Sequence, residues 1–325
     1  MVNKPPAAPS GTAHDAPAAQ GDNEPAPWSP DATAAPTNAS NTTAAGNVAT
    51  RPNKGIRLIV NADDFGRSSS ANRGIERAFR EGILTSASLM VNEHGAESAV
   101  EIAQRNPSLA VGLHLVLARG RSALKPSEIL GVVNEKFEFE SSPIRAGLKY
   151  YFYKEMRKHL QHEMDAQFRE FRTFGLVLDH VNGHLNFHLH PTIFDIFRKH
   201  YHSWGVKAMR LTRDPYLMNL RLASGRLFYR STHAMIFNQL CARAEPSLSR
   251  RDIRYTDAVF GLLQSDRIDE TYLLRLLDNL WPGDFELYCH PDDSEHAHET
   301  KALCSPRVKE KLQERGIELI AYGDL

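Results

Sequence analysis

The sequence predicts an α/β fold, a distorted parallel (β/α) barrel of seven or eight strands. Three observations point there. Strand-like and helix-like segments alternate from Arg57 to Ala321, the pattern of a parallel sheet built from βα units. Seven or eight such units fit the length of a closed barrel, about 250 residues. Polar clusters rich in Asp and His follow several of the strand-like runs. An open doubly wound sheet is the competing architecture. No GxGxxG or P-loop follows any strand, which argues against nucleotide binding.

The elements follow in order. Arg57-Leu-Ile-Val-Asn-Ala reads as a buried strand, and Ser70 to Gly82 as a helix with Ile75, Ala78 and Phe79 on one face and Gly82 as its stop. Thr85 to Val91 is a second strand, Gly95 to Arg105 a second helix, and Ala110 to Leu117 a third strand. A single long helix is expected over Ile144 to Thr173. Leu176 to Val181 is a fourth strand, and Pro191 to Trp204 its helix. Lys207 to Leu211, Ala258 to Leu262, Asp284 to Cys289 and Glu318 to Ala321 are the remaining strand candidates.

Residues 1–52 differ from all of this. Ala, Pro, Thr, Asn and Gly dominate, and large apolar residues are nearly absent. Such a segment cannot bury enough apolar surface to offset its ordering entropy. The expected organisation is a disordered Ala/Pro-rich tail over 1–52 and one barrel domain over 53–325. The tail lacks an apolar signal core, and no run approaches ~18 continuous apolar residues. Cytoplasmic residence is therefore expected.

Lys+Arg and Asp+Glu both number 39, for a net charge of +0. No global basic field exists to hold a nucleic-acid backbone, so no nucleic-acid partner is expected. The three cysteines, Cys241, Cys289 and Cys304, are odd in number and far apart. They define neither a disulfide framework nor a CxxC knuckle.

The strand ends carry the chemistry. Asp63 and Asp64 end the first strand, His114 lies in Gly112-Leu-His-Leu, and His180, His184, His188 and His190 crowd the chain after the fourth strand. His290 follows Glu286-Leu-Tyr-Cys. In a β/α barrel the C-terminal strand ends converge on one face, where active sites are built. Two adjacent carboxylates are costly to ionise together unless a cation is bound to one. Imidazole and carboxylate together suit one divalent ion, and zinc and magnesium are not separable from these residue types. Four histidines so close cannot all ligate one ion, so some are expected to orient ligands or touch substrate. His296 and His298 read as solvent-exposed residues of a charged loop.

Taken together, Asn61-Ala-Asp-Asp-Phe-Gly66, Gly112-Leu-His-Leu-Val-Leu117, the histidine run and Glu286-Leu-Tyr-Cys-His-Pro291 resemble the YdjC/ChbG-like carbohydrate deacetylases over nearly all of residues 56–325. The resemblance implies a distorted barrel with one divalent metal on Asp64, His114 and His184. It implies Asp63 as catalytic base and His290 as general acid. Where relatives acting on chitooligosaccharides tend to carry Leu-Asp-Ser-His-His-His, this chain has Val181-Asn-Gly-His-Leu-Asn186. The run Asp179 to Pro191 and the segment Phe260-Gly-Leu look like the hopanoid-biosynthesis-associated branch. That likeness implies removal of acetate from an N-acetylglucosaminyl hopanoid, an N-acetylated amino sugar linked to a lipid. A soluble chitooligosaccharide deacetylase and a non-catalytic carbohydrate- or metal-binding barrel are the alternatives. Residues 144–160 and 216–251 mix aromatic and aliphatic residues with Arg and Lys. They read either as barrel helices with basic rims or as a surface for peripheral membrane contact.

Overall fold

The first strand sets the frame. Leu58, Ile59, Val60 and Ala62 are all buried, as expected of a strand covered on both faces in a parallel sheet. In the computed structural model, which describes residues 55–325, strand β1 spans Ile56–Phe65. The expected tail over 1–52 lies outside the described residues. Helix α1 (Ser69–Glu81) starts where the Ser68 hydroxyl accepts from the Ala71 amide. Then come β2 (Ser86–Leu89), α2 (Ala96–Arg105) and β3 (Ala110–Leu115).

The single helix expected over 144–173 is two helices, α3 (Pro143–Phe152) and α4 (Met156–Thr173). The chain is extended at Tyr153, with φ −97° and ψ 95°. Each helix has its own anchorage. Tyr150 donates its buried hydroxyl to the Leu117 carbonyl at 2.9 Å. The α4 stripe of Leu160, Met164, Phe168 and Phe171 enters the core. A change of axis at Tyr153 lets each helix reach its own anchorage.

Strand β4 (Val181–Gly183) leads through a 3-10 turn over His184–Leu189 into α5 (Pro191–His200). Helices α6 (Tyr216–Leu222) and α7 (Leu227–Ser249) precede β5 (Ala258–Phe260), α8 (Glu270–Asn279) and β6 (Gly283–Cys289). Helices α9 (Ala297–Leu303) and α10 (Pro306–Glu314) and strand β7 (Ile317–Leu319) follow.

All named strand pairs are parallel, in the order β4-β3-β2-β1-β6-β5. Strand β7 pairs with Ile56–Leu58 of β1, below the point where β2 joins. The strand expected at Lys207–Leu211 is an irregular ladder. Val181 bridges Met209, Ala208 bridges Arg254, and the Val259 amide donates to the Arg213 carbonyl. This segment joins β4 to the chain entering β5, so the sheet curls round into a distorted barrel. The β1–β6 register sets Ala62 opposite Cys289. Asp63 and His290 therefore leave their strands at the same level.

Candidate active site

The site is built on the upper ends of β1, β3, β4 and β6. The β1–β2 register shifts between Ala62 and Phe65, and Asp64 sits at φ 64°. Positive φ is uncommon for a residue other than glycine and is often found where a side chain is held for function. The irregularity turns Asp63 and Asp64 both into the mouth of the barrel, where an ordinary strand would send them to opposite faces.

Asp64 meets two histidines. Its Oδ1 lies 3.3 Å from His114 Nε2 and 3.0 Å from His184 Nδ1. Ligand atoms of the three residues all fall within 4.8 Å of one another, and all three are buried. His114 Nδ1 stands 2.6 Å from Asn182 Oδ1 and 3.2 Å from Ser88 Oγ. The carboxamide oxygen can only accept, so Nδ1 carries the proton and Nε2 is left with its lone pair toward Asp64. His184 is aimed by the 3-10 turn, in which Leu185 and Asn186 have φ of 54° and 57°. Despite the short distances, Asp64 Oδ1 makes no well-angled hydrogen bond. A buried carboxylate oxygen facing two imidazole nitrogens at 3.0 and 3.3 Å is an arrangement that a shared cation would satisfy. The donor set fits one divalent ion. Arg67 holds the other oxygen, Oδ2, at 2.8 Å.

Asp63 is held differently. Arg210 donates to both its oxygens at 2.7 Å, from Nη1 to Oδ2 and from Nη2 to Oδ1. Asn61, Ser88 and Asn182 also donate to Oδ1. Among the described residues Oδ2 accepts from Arg210 alone, and Asp63 lines the open cleft. Burial pushes this carboxyl up, but the Arg210 charge and its hydrogen bonds hold it well below the usual carboxylate range. Asp63 is thus ionised across the working pH range, an acceptor kept charged by its surroundings.

Arg210 itself went unread in the sequence. It is fully buried, donates from Nε and Nη2 to Glu286 at 2.9 and 2.7 Å, and lies over the Tyr288 ring at 4.2 Å. Glu286 also accepts from the Tyr322 hydroxyl. The histidine run divides by role. His188, pushed down to about 3 by burial and the Arg210 charge, holds the Arg210 carbonyl through Nε2 at 3.1 Å. His180 bonds Asp179 and stacks on Tyr322. His190 caps α5 and stands 3.1 Å from the Gly147 carbonyl oxygen. Of the four, only His184 belongs to the ligand group.

His290 stands beside Asp63, at the same level on the neighbouring strand end. Burial would push its imidazole down, but Asp64, Glu299, Asp63 and Asp266 outweigh this and raise it above its ordinary value. Its backbone amide donates to the buried Glu299 at 2.6 Å, and Glu299 also accepts from the Ile268 amide at 3.2 Å. His298 is exposed as expected, but it lies in the first turn of α9, with His296 at the helix start, and not in a loop. Glu299 and Thr300 face inward and pin the helix to the end of β6, and His296 is only partly exposed.

Asp63 and His290 are common to two lobes of the cleft. One is polar, with Arg67, Ser68, Ser70 and His296 on its wall. The other is mixed, with Tyr229, His233 and Phe237 of α7, Pro143, Leu185, Leu262 and Tyr288 beside His114, His184, Asn186 and Ser265.

Fold and site together define a parallel β/α barrel with a buried Asp–His–His group suited to a cation, flanked by a carboxylate and an imidazole. The chain belongs to the YdjC-like protein family, whose model matches residues 57–314. A carbohydrate deacetylase of Geobacillus stearothermophilus is 28% identical over 282 residues, covering 82% of this chain and 96% of that protein. A mouse carbohydrate deacetylase is 29% identical over 310 residues, covering 83% and 95%. The crystal structure of an Enterococcus faecalis protein, provisionally named for cellobiose-phosphate cleavage, superposes with a TM-score of 0.65 at 24% identity. It covers 83% of this chain and 99% of that one, and it shares the fold.

Proposed function

We propose that the protein is a metal-dependent carbohydrate N-deacetylase. The carrying observation is the placement of Asp63 and His290 at one level of the barrel, in the same cleft as the Asp64–His114–His184 group. The named activity of the Geobacillus and mouse relatives supports the reading. A divalent ion held by Asp64, His114 and His184 would supply Lewis-acid activation of water and of the acetamide carbonyl. Asp63, through Oδ2, takes the proton of the attacking water. Arg210 fixes that carboxylate in place and keeps it ionised before the attack. His290, protonated at the start, gives its proton to the departing amine nitrogen as the C–N bond breaks. Water and amide are thus converted to acetate and the free amine.

The substrate we infer is an N-acetylglucosaminyl hopanoid, a lipid-linked amino sugar. Its support is the resemblance of the histidine run and the aromatic side chains Tyr229, Phe237 and Tyr288 that one lobe of the cleft carries and the other lacks. The polar lobe alone favours a second reading, a soluble chitooligosaccharide substrate with a second sugar ring in place of the apolar group. Acetate release from the glycolipid and from N,N′-diacetylchitobiose, with and without chelator, decides among these. Chelator-sensitive release from the glycolipid alone supports the full reading. Release from the chitin disaccharide alone keeps the chemistry and discards the lipid. Release from neither, with metal bound, overturns the activity.

A further inference from the structure

Large exposed apolar side chains are concentrated on α3 and on the α6–α7 hairpin. Ile144, Phe152, Leu217 and Phe228 are 75%, 68%, 74% and 84% exposed. Leu148 and Tyr151 on α3, and Leu227 and Met235 on α7, extend the same surfaces. Scattered single apolar residues on a surface need no explanation, but clusters on neighbouring elements do.

The charge pattern is as uneven. The whole chain balances 39 basic against 39 acidic residues. Yet residues 143–154 hold Arg145, Lys149 and Lys154 with no Asp or Glu, and residues 216–244 hold Arg221, Arg226, Arg230 and Arg243 with none either. Arg230 is buried, Arg145 pairs with Glu140 and Arg243 with Asp195. Among the described residues, Lys154, Arg221 and Arg226 have no carboxylate partner. Exposed aromatic and aliphatic side chains beside Lys154 and Arg221, cations without a carboxylate partner among the described residues, match the two layers of a lipid interface: acyl chain and anionic headgroup.

Both surfaces border the mouth of the site. Pro143, the first residue of α3, lines the aromatic lobe together with Tyr229, His233 and Phe237 of α7. Their immediate neighbours Ile144 and Phe228 are among the most exposed apolar residues of the described chain. Helix α5 packs against both α3 and α7. The two apolar-basic surfaces therefore flank one opening.

We propose that α3 and the α6–α7 hairpin form a docking surface for an anionic lipid bilayer, setting the open end of the aromatic lobe against the membrane. The surface stands on its own residues and extends the lipid-linked substrate reading above to a membrane partner.

The test is co-sedimentation of the full chain with vesicles of phosphatidylcholine plus phosphatidylglycerol, against phosphatidylcholine alone, at low and high salt. Binding is expected to the anionic vesicles and to fall with added salt. Phe152→Ser combined with Phe228→Ser should weaken it at least tenfold. Lys154→Gln combined with Arg221→Gln should weaken it about tenfold or more. The side chains at 152, 154, 221 and 228 point to solvent and are outside the catalytic machinery. Circular dichroism and acetate release from a soluble N-acetylglucosaminide check that each variant is folded. No binding of the natural chain to anionic vesicles at low salt overturns the proposal, as does undiminished binding of both variants. Binding with no acetate release from any substrate would keep the docking surface and discard the deacetylase reading. Release from the glycolipid without vesicle binding would do the reverse.

Discussion

Arg210→Met puts the wiring of the site to a direct test. The guanidinium makes four charge-assisted bonds inside the barrel, two to Asp63 and two to Glu286, at 2.7 to 2.9 Å. Methionine fills comparable space and offers no donor. Two buried carboxylates are then left without their shared cation. Breaking a buried pair from one side costs about 3–5 kcal/mol, a large share of the roughly 5–15 kcal/mol that holds a domain folded. Urea denaturation followed by circular dichroism reads this as a fall in midpoint at unchanged slope. Adding Glu286→Leu removes one stranded charge and should recover at least ~1 kcal/mol. The pH profile carries the functional half. The cation holds Asp63 low, so its loss should move the acid limb of kcat/KM to higher pH. A cost below about 1 kcal/mol, no recovery in the double variant, and an unmoved acid limb would together refute the role given to Arg210.

Four further outcomes are expected. Asp63→Asn should keep its metal and lose about a hundredfold to ten-thousandfold in turnover, measured as acetate release; a natural rate would remove Asp63 as the base. His184→Ala should lower bound metal in elemental analysis, and full occupancy would take it out of the ligand set. Gly74→Ala should impair turnover without touching any site residue. A Cβ there would fall 2.6 Å from Asp292 Cα, pushing the chain that follows His290. Asp214 is pushed up from 3.8 to about 7 by burial, against the hydrogen bonds it accepts. A raised folded-state pKa means stability present below pH 3.8 and lost as pH rises toward 7, at up to ~1.4 kcal/mol per pH unit. Asp214→Asn should flatten that slope in denaturation series across the window.

Much of the site was legible because strand ends in a parallel barrel converge. That rule and the residue types brought Asp63, Asp64, His114 and His290 to notice, whereas His184 was one of four histidines the spacing left open, and the ligand set itself came from the family resemblance. The part that stayed hidden is the layer beneath. Ser88, Asn182 and Glu286 sit inside strands and look ordinary in sequence. Arg210 left one trace, a lone cation in the apolar run Lys207-Ala-Met-Arg-Leu, where a charge facing inward must have partners. The histidine run misled by density. His180 and His190 serve packing and capping, for which no spacing rule distinguishes them from ligands. The long helix over 144–173 was overdrawn because no Gly or Pro marks Tyr153, where a change in direction of burial, set by tertiary packing, ends α3. Helix α8 was readable in principle, with Asp269 accepting from the Tyr272 amide as its cap and Leu273, Leu276 and Leu277 as its apolar face.

The division of the barrel also orders its assembly. The three cation ligands and the network that orients them come from β1, β2, β3 and β4, adjacent strands complete by residue 184. Arg210, Glu286, His290 and Tyr322 arrive later, and β6 must seat itself along β1 before the acid stands beside the base. A chain emerging from the ribosome thus presents its ion-catching half well before its proton-handling half. On the proposed reading, the ion site is encoded in the first four strands, while the proposed acid depends on β6, a later strand seated along β1.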